Sequence, residues 1–204
     1  MNPTVLLVRH AETELNDPKN EKIRGYSDIP ISYKGKDGLR NTASFLKEQA
    51  FPIAFVLSSP LQRAMMSANE VAQPFGAKVI PNNSLLPWSL GKLTGEPVAM
   101  AAKEMNYYQE YPDIKVPEGE SYRDFYNRWA VGLDKMLLYA EQHPEEVLVG
   151  VVHSRNLLAL PSILGSRDIG DVPVKGGPPP ESVTQISQDE NGNWHMKVIH
   201  QEPA

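Results

Sequence analysis

The sequence predicts an α/β protein: a doubly wound, mostly parallel sheet with helices on both faces and a C-terminal antiparallel hairpin. Three observations predict it. Val5–Val8, Ile53–Leu57 and Val147–Val152 are short apolar runs without alternation, the pattern of strands buried on both faces. Each precedes a segment with helical spacing, and strands that alternate with helices imply parallel crossover connections. Val183–Gln188 and Trp194–Ile199, joined around Asn191-Gly192, read instead as a hairpin with a primed turn.

The first strand ends in Arg9-His10, a cation and an imidazole set directly after the apolar run. Ligands of open α/β sheets bind just beyond the carboxyl ends of parallel strands, so the pair stands where a site belongs. Glu14–Pro30 follows as a long loop, broken by Asn16-Asp17-Pro18, Gly25 and Ile29-Pro30. Loops of this length in a compact domain are usually functional. Ser32 caps a helix to about Gln49, with Leu39, Ala43 and Leu46 on its buried face. Gly35 and Gly38 weaken its first turns.

After Ile53–Leu57 comes Ser58-Ser59-Pro60-Leu61-Gln62-Arg63. Ser59 reads as an N-cap, Pro60 as the first helical residue and Gln62 as the capping-box partner, for a helix to about Pro74. Arg63 falls in the first turn, where a cation opposes the positive end of the helix dipole; an anionic ligand there would account for it. An arginine so placed is expected to add little to stability. Lys78–Ile80 is a short third strand. Pro81–Pro97 is irregular, held down by Trp88 and Leu90, and Pro97 opens a helix to about Tyr111. Ser121 with Asp124 starts another, to about His143, whose stripe of Phe125, Trp129, Leu133, Met136, Leu137 and Ala140 is core. Val147–Val152 ends in His153-Ser154. A helix runs from Asn156 to about Leu164, and Gly176–Pro180 is a stiff loop.

With 204 residues, 41% apolar and 22% charged, the chain suits one globular domain, 1–204. A net charge of -5 leaves no basic excess to neutralise a nucleic-acid backbone, but permits a small anion held by a few arginines. The absence of cysteine excludes disulfides, thiolate chemistry and Cys-based metal sites. No apolar run approaches the roughly 18 residues of a membrane span, so no membrane partner is expected and a cytoplasmic location is the simplest reading. Monomer and dimer stay open.

Three strand ends therefore carry Arg9-His10, Ser58 followed by Arg63, and His153, all at one edge of a parallel sheet. Two guanidiniums and two imidazoles around one point repel each other, which makes a poor structural cluster and a good anion site. Each arginine offers a planar fork that matches phosphate oxygens.

These residues also carry a resemblance. Arg9-His10-Ala11-Glu12-Thr13-Glu14-Leu15-Asn16 resembles the R-H-G-E-T-x-x-N signature of the histidine phosphatase (phosphoglycerate mutase-like) superfamily, with Ala11 in place of the usual glycine. Gly25, Asp28, Pro30 and Gly35 resemble the family's next segment. Ser58–Ala64 is similar to its second motif, Pro117–Ser121 to its G-G-E-S segment, and His153-Ser154 to its second histidine. The resemblance implies a phosphatase in which His10 takes the phosphoryl group and water then releases it. It implies that Arg9, Arg63 and His153 hold the phosphoryl oxygens and that Asn16 and Ser154 bind substrate. The arginines supply the positive charge, so no metal or other cofactor is expected, and the partner is a small phosphorylated substrate. His143, His195 and His200 match no motif. The alternatives are a mutase-type phosphotransferase and a phospho-ligand binding protein that has lost turnover. Specificity is expected from Glu14–Pro30, Pro81–Pro97 and the helix near Tyr107, Tyr108 and Tyr111.

One departure matters. The family's proton donor is usually a glutamate in a stretch resembling L-x-E-x-x-x-G-x-x-x-G. Here Leu85–Gly95 is the equivalent stretch, and it puts Pro87 where the acid should be. Glu96, just past Gly95, is the candidate substitute.

Overall fold

A computed structural model describes residues 2–16, 21–165, 169–173 and 176–201. Asp17 and Pro18, part of the loop-breaking triplet, lie outside the described residues. The strands are β1 (Thr4–Arg9), β2 (Ile53–Ser58), β3 (Lys78–Pro81), β4 (Val147–Val152), β5 (Val183–Gln188) and β6 (Trp194–His200). They form one sheet in the order β3-β2-β4-β1-β5-β6. The first four in that order run parallel, while β5 is antiparallel to β1 and β6 to β5. This is the doubly wound arrangement with its antiparallel hairpin.

The helices are α1 (Tyr33–Glu48), α2 (Gln62–Ala72), α3 (Val98–Glu110), α4 (Tyr122–Gln142) and α5 (Ser154–Ile163). Side chains alternate across a strand, so β1 and β4 each feed two cores. Leu6, Val8, Val149 and Val151 pack with Leu39 and Leu46 of α1 and with Ala64, Ala68 and Val71 of α2. Val5, Leu7, Leu148 and Val152 pack on the other face with Phe125, Trp129 and Leu133 of α4 and with Leu157 and Leu160 of α5. Every residue of both strands is buried, which explains their unbroken apolar runs.

The glycines of α1 have a packing reason. Ser32 caps this helix, its hydroxyl accepting from the Gly35 N–H at 3.0 Å. A Cβ at Gly35 would stand 2.6 Å from the Glu12 carbonyl oxygen, and one at Gly38 3.0 Å from Glu181 Cγ. The helix gives up propensity so that the turn after β1 can lie on it.

Three local expectations are corrected. Helix α2 starts at Gln62, with Leu61 as its N-cap, rather than on Ser59-Pro60. The Ser59 hydroxyl is buried without a hydrogen bond among the described residues, and the Gln62 N–H donates instead to Asp28 Oδ1 at 2.6 Å. The cap thus comes from the distant loop. Helix α5 begins at Ser154, not Asn156, with Asn156 Oδ1 accepting from the His153 N–H. The hairpin has no primed two-residue turn, because Gly192 has positive φ and Asn191 does not. Its loop is Asp189–Asn193, closed by the Asp189 N–H on the Asn193 carbonyl and by Asp189 Oδ1 accepting from the Asn191 and Asn193 N–H groups. Among the described residues, no helix is long and apolar enough to cross a membrane.

Candidate active site

Neighbouring parallel strands bring the two histidines together. Arg9 pairs in register with Val152, so the residues that follow each, His10 and His153, emerge side by side. Their ring centroids are 4.9 Å apart and tilted by 60°. The His10 N–H donates to the Val152 carbonyl and the Arg9 N–H to that of Ser182, pinning the end of β1 from both sides. Behind it, the Ala11 N–H donates to Ser67 Oγ of α2 at 3.0 Å. Ala11 is wholly buried, its methyl facing α1, so the departure from glycine is absorbed by packing.

His10 Nδ1 lies 2.7 Å from the Ala11 carbonyl oxygen. A carbonyl only accepts, so Nδ1 carries the proton and Nε2 keeps its lone pair. Burial, then the fields of Arg63, Arg9 and Arg24, hold His10 well below the usual histidine pKa. His153 is pushed the same way by burial, Arg63 and the His10 ring. Both ring nitrogens of His153 are buried without a hydrogen bond among the described residues.

Arg63, the second residue of α2, is almost wholly buried and reaches across to the long loop. Its guanidinium donates to the carbonyls of Ser27 at 2.7 Å and Gly25 at 2.9 Å. Arg9 donates to the Pro178 carbonyl at 2.5 Å. The Nε of each arginine is buried and unpaired among the described residues. Burial lowers both guanidiniums to about 10, which leaves them charged at neutral pH. Unpaired, buried N–H groups are costly unless something meets them, and an anion does.

These groups face one cavity of about 230 Å³, lined by Arg9, His10, Arg63, His153 and Ser154, and also by Glu21, Lys22, Arg24 and Arg155. The last four were not singled out from the sequence. Arg155 follows the second histidine so closely that the strand-end rule could have found it. Glu21 and Arg24 carried no signal except their nearness to Gly25. Arg24 is mostly buried, donates to the Leu15 carbonyl at 3.2 Å and lies 3.6 Å from Glu21 Oε1. Arg155 donates to Gln109 Oε1 and to the Pro173 carbonyl.

Two expected residues are not brought in. Asn16 is absent from the lining; its Oδ1 accepts from the Thr13 N–H and hydroxyl, closing its own turn. Glu96 is exposed and outside the lining, its backbone carbonyl accepting from the Ile23 N–H and its N–H donating to the Leu93 carbonyl. Pro87 does line the cavity, beside Trp88. Trp88 and Leu90 pack the loop down as expected, the Trp88 indole donating to the Glu120 carbonyl at 3.1 Å. Tyr107 and Tyr108 of α3 and Tyr111 at its C-terminal end do not line the cavity; Val98 and Met105 of that helix do.

The geometry agrees with the comparisons. The chain is 26% identical over 164 residues to the uncharacterized phosphatase PhoE of Bacillus subtilis, covering 80% of this chain and 78% of that one. It is 30% identical over 135 residues to the probable phosphoglycerate mutase GpmB of Escherichia coli, covering 64% of this chain and 61% of the relative. Among solved structures, a mycobacterial glucosyl-3-phosphoglycerate phosphatase shares the fold, with a TM-score of 0.77, 23% identity, and 96% and 97% of the two chains covered. The profile of the Histidine phosphatase superfamily (branch 1) matches residues 5–201, nearly the whole chain, and the chain belongs to that superfamily.

Proposed function

We propose that this protein is a metal-independent phosphatase that hydrolyses phosphate esters or anhydrides through a phosphohistidine on His10. The observation that carries the reading is the 2.7 Å contact of His10 Nδ1 with the Ala11 carbonyl oxygen, which leaves Nε2 unprotonated. Nδ1 is anchored on the Ala11 carbonyl, and the unprotonated Nε2 belongs to a buried ring on the cavity wall among Arg9, Arg63 and His153. A nucleophile needs that lone pair, and the surrounding cations stabilise the charge of the phosphoryl group in flight. Pure binding needs no nucleophile.

The order of events follows from charge. A dianionic phosphoryl group enters between the Arg9 and Arg63 forks. His10 Nε2 attacks phosphorus in line, the bond to the leaving oxygen breaks, and water later displaces the phosphoryl group from nitrogen. The fixed arginines take the place of a divalent ion. A mycobacterial relative of the same fold has been solved in complex with inorganic phosphate and with VO3, which supports a small phosphorylated substrate here. The cavity, smaller than the roughly 300 Å³ where drug-sized sites begin, suits one phosphoryl group and a compact leaving group. We read 1–204 as one such domain, and a cysteine-free enzyme of this kind fits the cytoplasm.

The test is rapid quench with a labelled aryl phosphate followed by mapping of acid-labile label. Label on His10, formed in a burst and unaffected by exhaustive chelation, is the expected result. Label on Ser58, Ser59 or Ser154, or activity that needs an added divalent ion, would overturn it. Transfer of the label to a second substrate in preference to water would mark a mutase, and tight binding without label a binding protein.

A further inference from the structure

We propose that Glu21 is the proton donor and acceptor of this reaction, an inference that rests on the phosphohistidine reading above. When His10 attacks, the departing oxygen of an alkyl or sugar ester needs a proton. Pro87 lines the cavity, and proline has no proton to give. Glu96 lies outside the cavity. Among the described residues, Glu21 is the one carboxylate in the lining.

Its position suits the task. His10 is 2% exposed, whereas the Glu21 side chain is 43% exposed, so the nucleophile lies at the floor and the carboxyl at the mouth. In-line attack sends the leaving oxygen away from His10, toward that mouth. Glu21 Oε1 is also 3.6 Å from Arg24 Nη2, and Arg24 bears on both histidines through its field. In the empty site Arg24 holds the carboxylate. A phosphoryl dianion entering the cavity competes for that guanidinium and frees the Glu21 carboxyl to turn toward the leaving oxygen.

The steps balance. The Nε2 lone pair of His10 forms the P–N bond, the P–O bond to the leaving group breaks, and its electron pair takes the proton of the Glu21 carboxyl. The resulting carboxylate then accepts a proton from water as the water oxygen bonds to phosphorus. The P–N pair returns to His10, inorganic phosphate leaves, and Glu21 holds a proton again.

The experiment compares His10 phosphorylation by rapid quench in wild type, Glu21→Gln and Glu96→Gln, over aryl phosphates of graded leaving-group pKa plus one alkyl phosphate. Wild type and Glu96→Gln should show the same shallow dependence. Glu21→Gln should be steep, near wild type for the most activated ester and slower by about 10²–10⁴-fold for the alkyl ester. Labelled His10 with parallel lines in wild type and Glu21→Gln overturns this inference alone, because a purely positional or charge effect slows all leaving groups alike. A steep line confined to Glu96→Gln overturns it in favour of Glu96. No label on His10 in wild type overturns the proposed function, and this inference with it.

Discussion

His10 and His153 stand 4.9 Å apart, centroid to centroid, because the strands that carry them are paired neighbours with Arg9 opposite Val152. The ladder fixes the backbone from which each ring projects. The pair is therefore a property of the sheet rather than of its loops, and its energetics can be read from bulk stability as well as from turnover.

Both imidazoles are held well below the usual histidine pKa by burial and by the arginines. The sign follows. Above about pH 6.5 neither the folded nor the unfolded chain protonates them, and they do not affect stability. Below that value the unfolded chain takes up protons that the folded site refuses. Each ring then lowers stability by up to about 1.4 kcal/mol per pH unit until its native pKa is reached. Urea midpoints between pH 6.5 and 5 should fall less steeply in His153→Asn than in wild type; equal slopes would contradict the assignment.

Arg63→Ala should cost about 3 kcal/mol or more of transition-state stabilisation, as expected for a lost preorganised charge donor. The structure changes the expectation for folding. Because Arg63 is buried and ties down the Gly25 and Ser27 carbonyls, the variant should also lose about 1–3 kcal/mol of stability. Steady-state kinetics with urea unfolding separates the two effects. Near-normal kcat/KM would mean that its buried Nε does not face the phosphoryl group.

Gly35→Ala sets helix propensity against packing. Propensity alone would stabilise α1 by about 1 kcal/mol. The new Cβ would instead stand 2.6 Å from the Glu12 carbonyl oxygen and 2.9 Å from its nitrogen, both of them backbone atoms. Overpacking of this kind should win by about 1–3 kcal/mol and push the turn after His10 off α1, lowering kcat as well. Gly170→Ala, where a Cβ meets nothing within 4 Å, is the control. A stabilised Gly35→Ala enzyme would refute the argument.

Asp28→Ala should destabilise by about 1 kcal/mol through loss of the cap on α2. Asp28→Asn, which keeps an acceptor, should lose less. Thermal unfolding of the two variants decides it; equal losses would show that charge near Arg63, not the cap, is what Asp28 contributes.

The fold was legible because β1 and β4 are buried on both faces and β2 is at least partly covered on both, and two-sided burial writes itself as an uninterrupted apolar run. His10, Arg63 and His153 were legible because they follow such runs. What failed to show was everything set by contacts between distant segments. The start of α2 was misplaced because its cap, Asp28, comes from another loop, whereas Ser59-Pro60-Leu61-Gln62 supplies a plausible local grammar that the chain does not use. Glu21 and Arg24 sit on a segment with no periodicity, and nothing local marks the direction in which they face. Asn16 illustrates the opposite case: a local preference, its Oδ1 accepting from Thr13, closes a turn away from the cavity lining.

The sheet order has a consequence for biosynthesis. β1 is made first but pairs only with β4 and β5, both near the end of the chain. A chain still emerging from the ribosome before Val147 holds an apolar β1 with no strand beside it, and β2 with only β3. Those edges stay open until β4 is made, so the nascent chain is exposed to misassociation until then. When β4 does insert, it closes the sheet centre and delivers the second histidine in one event.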